Sequence, residues 1–284
     1  MNKGNYIFIY DEFLTDKRHE RLLASIEQKL ATLDLSGRVG RLTLFRNPKD
    51  LVEGMVRGQG AATVVVVGND HTLDRVMWFL PDLDVIVGYI PVAAPCDVAK
   101  LLGIPLGVEA CEVLGARHIE TLDVGRLDDR YFLTEVRLPR SNAAIDIEGR
   151  YRVSAMYGGS LSVRNLGNVT GDEQALSDAK DGLLEVVIEP QEGERARFWP
   201  RTRARETRIL MSGGSIVADE PIEALADNHA VSGRHFELDI LPGKLRMVTG
   251  RRRLQAGALP AVERRGTVAD ALEKNGATHP HDAS

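Results

Sequence analysis

The chain has 284 residues, enough for two ordinary domains, and 43% of them are hydrophobic, enough to build real cores. A formal net charge of −5 argues against general nucleic-acid binding, and the longest apolar runs are strand-length, too short for a membrane-spanning helix. Met1-Asn2-Lys3-Gly4-Asn5 leads directly into a strand without a signal-peptide pattern, and Cys96 and Cys111 lack metal-ligand spacing. A reducing, cytoplasmic setting with buried free thiols is the expectation.

Residues 6–10 read as a first strand. Residues 16–33 place Leu22, Leu23, Ile26, Leu30 and Leu33 on one face of an amphipathic helix. Residues 38–45 alternate as a second strand. Asn47-Pro48 then supplies a helix cap and a proline at the first helical position. Leu51, Val52, Met55 and Val56 are that helix's predicted buried face, and Gly58 its end. The run Ala62-Thr63-Val64-Val65-Val66-Val67 is β-branched and unbroken, as in a strand covered on both faces. Gly68 ends it, and Leu73, Val76 and Met77 recur at helical spacing. Such a strand–turn–helix aims backbone N–H groups at one point, where an anion also meets the positive end of the helix dipole. Most such turns bind nothing. Residues 85–90 form a further strand, 91–97 a loop, and Gly103-Ile104-Pro105 stops the short helix that follows. Residues 107–116 suggest another helix, and 118–125 and 131–136 two strands joined across Asp128-Asp129.

Beyond about residue 139 the pattern changes. Alternating segments at 145–153, 161–163, 183–188, 208–211, 236–240 and 245–248 are punctuated by Gly, Asn and Asp, with at most a helical turn at 173–179. The expected architecture is a three-layer α/β domain with a parallel sheet (1–136), an antiparallel β-sandwich (137–254) and a disordered tail (255–284). In parallel sheets ligands sit beyond the carboxyl ends of the strands; here those ends are residues 68–72 and 91–97.

The order of motifs resembles the diacylglycerol kinase catalytic family, whose fold is shared with sphingosine and NAD kinases. That family's Gly-Gly-Asp-Gly-Thr is here Gly68-Asn69-Asp70-His71-Thr72. Its Pro-x-Gly-Thr-x-Asn-Asp-x-Ala is here Pro91-Val92-Ala93-Ala94-Pro95-Cys96-Asp97-Val98-Ala99, followed by Leu102-Gly103-Ile104-Pro105. Leu122-Asp123-Val124-Gly125, Tyr131-Phe132 and Asp181-Gly182-Leu183-Leu184 are similar to later motifs, and Val217-Ala218-Asp219-Glu220-Pro221 to a late Asp-Gly-Glu. The resemblance spans roughly residues 5–250. It implies ATP and Mg²⁺ as cofactors, a lipid or lipid-like alcohol as substrate, and a homodimer. Gly68, Asn69, Asp70, Thr72 and Asp97 would surround the nucleotide, with Glu220 and Asp70 as the catalytic carboxylates. Three glycine positions are replaced, by Asn69, His71 and Ala93. A threonine has become Ala94 and an asparagine Cys96, so flexible positions and polar ligands are lost together.

Plainer readings stand beside each role. Asp70 and Asp97 could cap the helices that follow them; His71 could be a surface histidine; Asp181-Gly182 could be a turn, and Glu220-Pro221 an exposed loop. The implied function is lipid-hydroxyl phosphorylation, and the alternative a catalytically inactive sensor or adaptor that binds nucleotide or lipid. Arg195, Arg197, Arg201, Arg203 and Arg205, interleaved with Phe198 and Trp199, suit contact with an anionic membrane at about 1 kcal/mol per basic residue. They suit equally a solvated edge that blocks aggregation.

Overall fold

The computed structural model describes residues 5–57, 62–138, 142–155, 159–168, 176–189 and 207–251. The arginine-rich segment 195–205 and the tail 255–284 lie outside the described residues.

The first half alternates as its periodicity predicts. Strand β1 (Asn5–Asp11) leads to helix α1 (Lys17–Thr32), whose cap is Asp16, accepting from the Arg18 amide. Ile26 and Leu30 are buried, and Leu22, Leu23 and Leu33 pack around them. Strand β2 (Gly37–Leu42) is shorter than the alternation suggests, because Leu44 and Phe45 stand in solvent. Helix α2 (Pro48–Val56) begins with Asn47 accepting from the Lys49 amide, and buries Leu51, Val52 and Met55. Strand β3 (Ala62–Gly68) is buried at every position. Helix α3 (Asp70–Met77), strand β4 (Ile86–Pro91), helix α4 (Asp97–Leu101) and helix α5 (Ala110–Ala116) complete the α/β unit. The parallel strands lie in the order β2-β1-β3-β4.

The remaining strands are β5 (Ile119–Leu127), β6 (Arg130–Phe132), β7 (Glu135–Leu138), β8 (Ala144–Ile147), β9 (Tyr151–Ser154) and β10 (Ser160–Arg164). After them come β11 (Gly167–Asn168), β12 (Leu176–Ser177), β13 (Leu184–Glu189), β14 (Thr207–Met211), β15 (Gly213–Ala226) and β16 (His229–Val248). Apart from the β11–β12 pair, the strands among the described residues form one mixed sheet of 14 strands. It is parallel at the N-terminal end and antiparallel beyond, the two-part α/β-plus-β fold class expected.

Several boundaries differ from the sequence reading. Residues 131–136 are not one strand: Leu133 and Thr134 break it, since their amides turn aside to the Asp227 carboxylate at 2.9 and 2.8 Å. Segments 236–240 and 245–248 belong to one strand of 20 residues, bulged opposite β5 between Leu241 and Leu245. The alternation there is interrupted by Pro242-Gly243, which is why it reads as two pieces. Strand β15 escaped the sequence reading because Gly213, Gly214 and Pro221 dilute its pattern.

Two buried clusters form, one around β1, β3 and β4, the other around β7, β8, β10, β13, β15 and the first half of β16. The chain crosses between them more than once. Leu127 and Phe132 lie in the second cluster, while Leu245, Met247 and Val248 return to the first, where β16 pairs with β4 in parallel. Gly125 shows how tight the second cluster is: a Cβ there would fall 2.0 Å from Phe132 Cζ. Gly54, inside α2, has nothing within 4 Å of the equivalent point. Gly125→Ala should therefore lose about 1–3 kcal/mol by overpacking. Gly54→Ala should gain roughly 0.5–1 kcal/mol from helix propensity. Denaturant melts of the two variants read both signs, and a neutral Gly125→Ala would disprove the contact.

Candidate functional site

The turn between β3 and α3 holds itself closed. Asn69 is extended (φ −134°) and caps α3, its Oδ1 accepting from the Thr72 amide at 3.1 Å. Thr72 Oγ1 accepts in return from the Asn69 amide at 3.1 Å, a reciprocal capping box. The Asp70 amide donates to the Pro95 carbonyl at 2.9 Å. Among the described residues, only the His71 N–H of this first turn is left without a partner. Gly68 is required by packing, since a Cβ there would sit 2.2 Å from Thr72 Oγ1.

Asp70 is buried at 4% exposure, and its carboxylate is used on both oxygens. Oδ1 accepts from the Tyr89 hydroxyl at 3.0 Å; Oδ2 accepts from the amides of Asp97 at 2.6 Å and Val98 at 3.2 Å. It therefore caps α4 from another part of the chain, in place of Cys96, which makes no cap bond. Burial and the neighbouring Asp70 charge hold the Tyr89 hydroxyl far above its ordinary pKa, so it stays a donor. The cap readings are thus corrected in detail: Asp70 does not cap its own helix, and Asp97 caps nothing. The Asp97 side chain is exposed and pairs with Lys100 at 2.7 Å.

Strand order reverses between β1 and β3, the place where this architecture usually receives ligands. Here Arg75 of α3 lies there. Its Nη1 meets Asp11, at the end of β1, at 3.2 Å, and its Nη2 donates to the Thr43 carbonyl at 3.1 Å. A triphosphate needs several free amide donors, and a divalent ion needs carboxylate oxygens in its own coordination sphere. Asn69, Asp70 and Thr72 have committed those groups to the protein, so the turn as it stands fits neither ATP phosphates nor Mg²⁺.

An open cleft of about 340 Å³ lies beside Asp70, on the side of α4. Its lining adds Asp74 of α3, Glu135 and Arg137 of β7, Arg164 of β10, and Asp227 with Asn228 from the β15–β16 turn. Asp227 adopts a left-handed backbone (φ 51°), which an aspartate tolerates. Its carboxylate accepts from the Leu133, Thr134 and Glu135 amides and from the Thr134 hydroxyl at 2.5 Å. Asn228 Nδ2 donates to Asp74 Oδ2 at 2.5 Å. Burial, then the Asp227 charge, pushes the Asp74 carboxyl up to about 8. Burial raises Asp227 too, but its four donors favour the charged form. Of the two, Asp74 is the carboxyl that burial and its neighbour's charge press toward the protonated form.

The structure gathers Gly68, Asn69, Asp70, Thr72 and Asp97 around one corner of the fold. Glu220 is not among them: it is exposed on β15, at the register irregularity between Val217 and Ile222, and does not line the cleft. The acidic turn that reaches the cleft is Asp227-Asn228. An Asp-Asn pair between alternating segments was its signal, weak because it reads as an ordinary turn. His71 is exposed and borders a neighbouring cavity of about 330 Å³ with Trp78, Arg130 and His229, so it does not fill the Asp70 cleft. Asp181-Gly182 is a turn, with Gly182 at φ 73° and Asp181 Oδ1 accepting from Leu183. It is tied to Asp123, whose oxygens accept from the Gly182 and Gly243 amides at 2.8 and 2.7 Å.

No family model matches the sequence, and no curated protein matches it either. The fold has solved counterparts. A crystal structure of a diacylglycerol kinase from Bacillus anthracis str. Sterne superposes with a TM-score of 0.71 at 16% identity, over 88% of this chain and 98% of that one. A second structure from the same strain, also assigned as a diacylglycerol kinase, gives 0.71 at 15% identity, over 87% and 98%. The chain has the fold of these bacterial proteins. No helix among the described residues is long and apolar enough to cross a membrane.

Two outcomes follow from the carboxylates. Removing Asp70 strands a tyrosine hydroxyl and two amides, so Asp70→Ala should lose roughly 2–4 kcal/mol in denaturant titration. Asp74 binds its proton in the folded state up to about pH 8 and in the unfolded state only to about 3.8. Stability from this group is therefore full below about pH 3.8, falls as pH rises from there to about 8 with a slope of at most about 1.4 kcal/mol per pH unit, and is level above. Asp74→Asn should flatten that decline between about pH 4 and 8; an unchanged slope there would place the proton elsewhere.

Proposed function

We propose that this protein binds a hydroxyl-bearing lipid or lipid-like headgroup in the Asp70–Asp227 cleft and acts as a sensor or adaptor on a lipid-kinase fold. The observation that carries the reading is the closed β3–α3 turn. The Asn69, Asp70 and Thr72 amides and the Asp70 oxygens are engaged by Thr72, Asn69, Pro95, Tyr89, Asp97 and Val98. A nucleotide would have to break the capping box and displace a buried network before its phosphates met free donors. The cleft beside it needs no such change and offers charged and hydrogen-bonding groups from both halves of the fold.

ATP- and Mg²⁺-dependent phosphorylation of a lipid hydroxyl is the second reading, and one feature favours it. Asp227 brings a second carboxylate to the cleft wall, where it would take the proton of an attacking hydroxyl, beside Asp74, whose carboxyl is pushed up to about 8. On this reading Asp227 takes the part that the family resemblance implies for Glu220, with Gly68, Asn69, Thr72 and Asp97 around a reopened turn. Transient contact with an anionic membrane through Arg195, Arg197, Arg201, Arg203 and Arg205, a cytoplasmic location and a homodimer belong to either reading.

A ligand that binds only the folded state raises its melting temperature. Short-chain diacylglycerol should raise it, and millimolar Mg²⁺-ATP should leave it unchanged. If Mg²⁺-ATP stabilises the protein and labelled phosphate reaches mixed lipids, the second reading holds. Asp227→Asn should then lower transfer by about 100-fold or more.

A further inference from the structure

The cleft continues onto a cavity of about 410 Å³ over the face of β7, β10 and β13. In this antiparallel register, Ser160 lies opposite Glu189, Ser162 opposite Arg137, and Arg164 opposite Glu135, so these six side chains share one face. Such a face is ordinarily left to water, yet Ser162 is 6% exposed and Arg164 8%. Most of their polar atoms are matched. Arg164 Nε donates to Glu135 at 3.1 Å and Nη2 to Glu189 at 3.0 Å; Ser160 donates to the other Glu189 oxygen at 3.1 Å. Arg137 meets the second Glu135 oxygen at 3.3 Å. Two buried groups have no partner: Arg164 Nη1 and the Ser162 hydroxyl. Native proteins seldom leave such groups unmatched, and each exception calls for a reason.

We infer that Arg164 Nη1 and Ser162 Oγ form a subsite for a neutral oxygen acceptor, an ester carbonyl or a polyol hydroxyl of the bound lipid. Charge decides the class. Arg137 and Arg164 are balanced by Glu135 and Glu189 within the cluster, and Asp70 and Asp227 add negative charge along the cleft. A phosphate or carboxylate would face two glutamates at close range, whereas an uncharged oxygen accepts both free donors without that repulsion. The inference rests on the cleft being a lipid-headgroup site, and it names the residues that would set its preference for uncharged over phosphorylated headgroups.

The test uses the full-length protein with dioctanoylglycerol and dioctanoylglycerol phosphate as probes, by calorimetric titration. Wild type should bind the uncharged probe more tightly than the phosphorylated one. Ser162→Ala should weaken the uncharged probe roughly two- to tenfold, the range for one hydrogen bond. Because the hydroxyl has no internal partner, Ser162→Ala should leave the melting temperature of the ligand-free protein unchanged or raised. Arg164→Lys, which keeps the charge but not the planar fork, should weaken binding further. Unchanged affinity in Ser162→Ala, a fall in its ligand-free melting temperature, or tighter binding of the phosphorylated probe would each overturn the subsite while leaving the cleft a lipid site. Failure of wild type to bind either probe would overturn both.

Discussion

The carboxylate of Asp70 is the contact on which the candidate site depends. It stands at the start of α3, yet its acceptors serve the start of α4 and the tyrosine of β4. A buried charge is tolerable only when donors surround it, and here three donors from two later segments do so. The loop after β4 is thereby fixed against the turn after β3. In a phosphoryl-transfer site the same corner would keep such groups free for a ligand. In this chain that carboxylate is structural, and Asn69 and Thr72 beside it satisfy each other.

Two more aspartates repeat the arrangement. Asp123 gathers the turns at Gly182 and Gly243, and Asp227 draws in the amides of Leu133, Thr134 and Glu135. Each spans a long sequence separation and fixes irregular backbone where no ladder bond could. The Asp227 case also shapes electrostatics, because its hydrogen bonds favour the charged form there while its charge pushes the Asp74 carboxyl up.

The α/β half was legible because its signals are local. The valine run of β3, the Asn47-Pro48 start of α2 and the leucine spacing of α1 each arise within a dozen residues. The second half was less so. Strand β15 and the single long β16 carry glycine and proline within them, and their identity comes from partners far away in the chain. Motif order identified the fold, as the solved counterparts agree. It could not reveal what Asp70, Thr72 and Asn69 touch. Glu220 illustrates the limit: an acid followed by proline resembled the motif, while Asp227, in an unremarkable Asp-Asn turn, is the one that reaches the cleft. Arg75 was hidden for a similar reason, since its partner Asp11 is 64 residues away.

Because β16 belongs to both clusters without interruption, the two halves have no slack tether on which to swivel. Opening them like jaws would shear its pairing with β4 and β5 at one end or with β15 at the other. Motion at the cleft is thereby left to small parts, such as the Asn228–Asp74 contact and the side chains along β7 and β10. Rotamer exchange of that kind belongs to picoseconds and nanoseconds, whereas domain closure takes microseconds to milliseconds. Whatever occupied the cleft would thus leave the two halves of the sheet standing as they are.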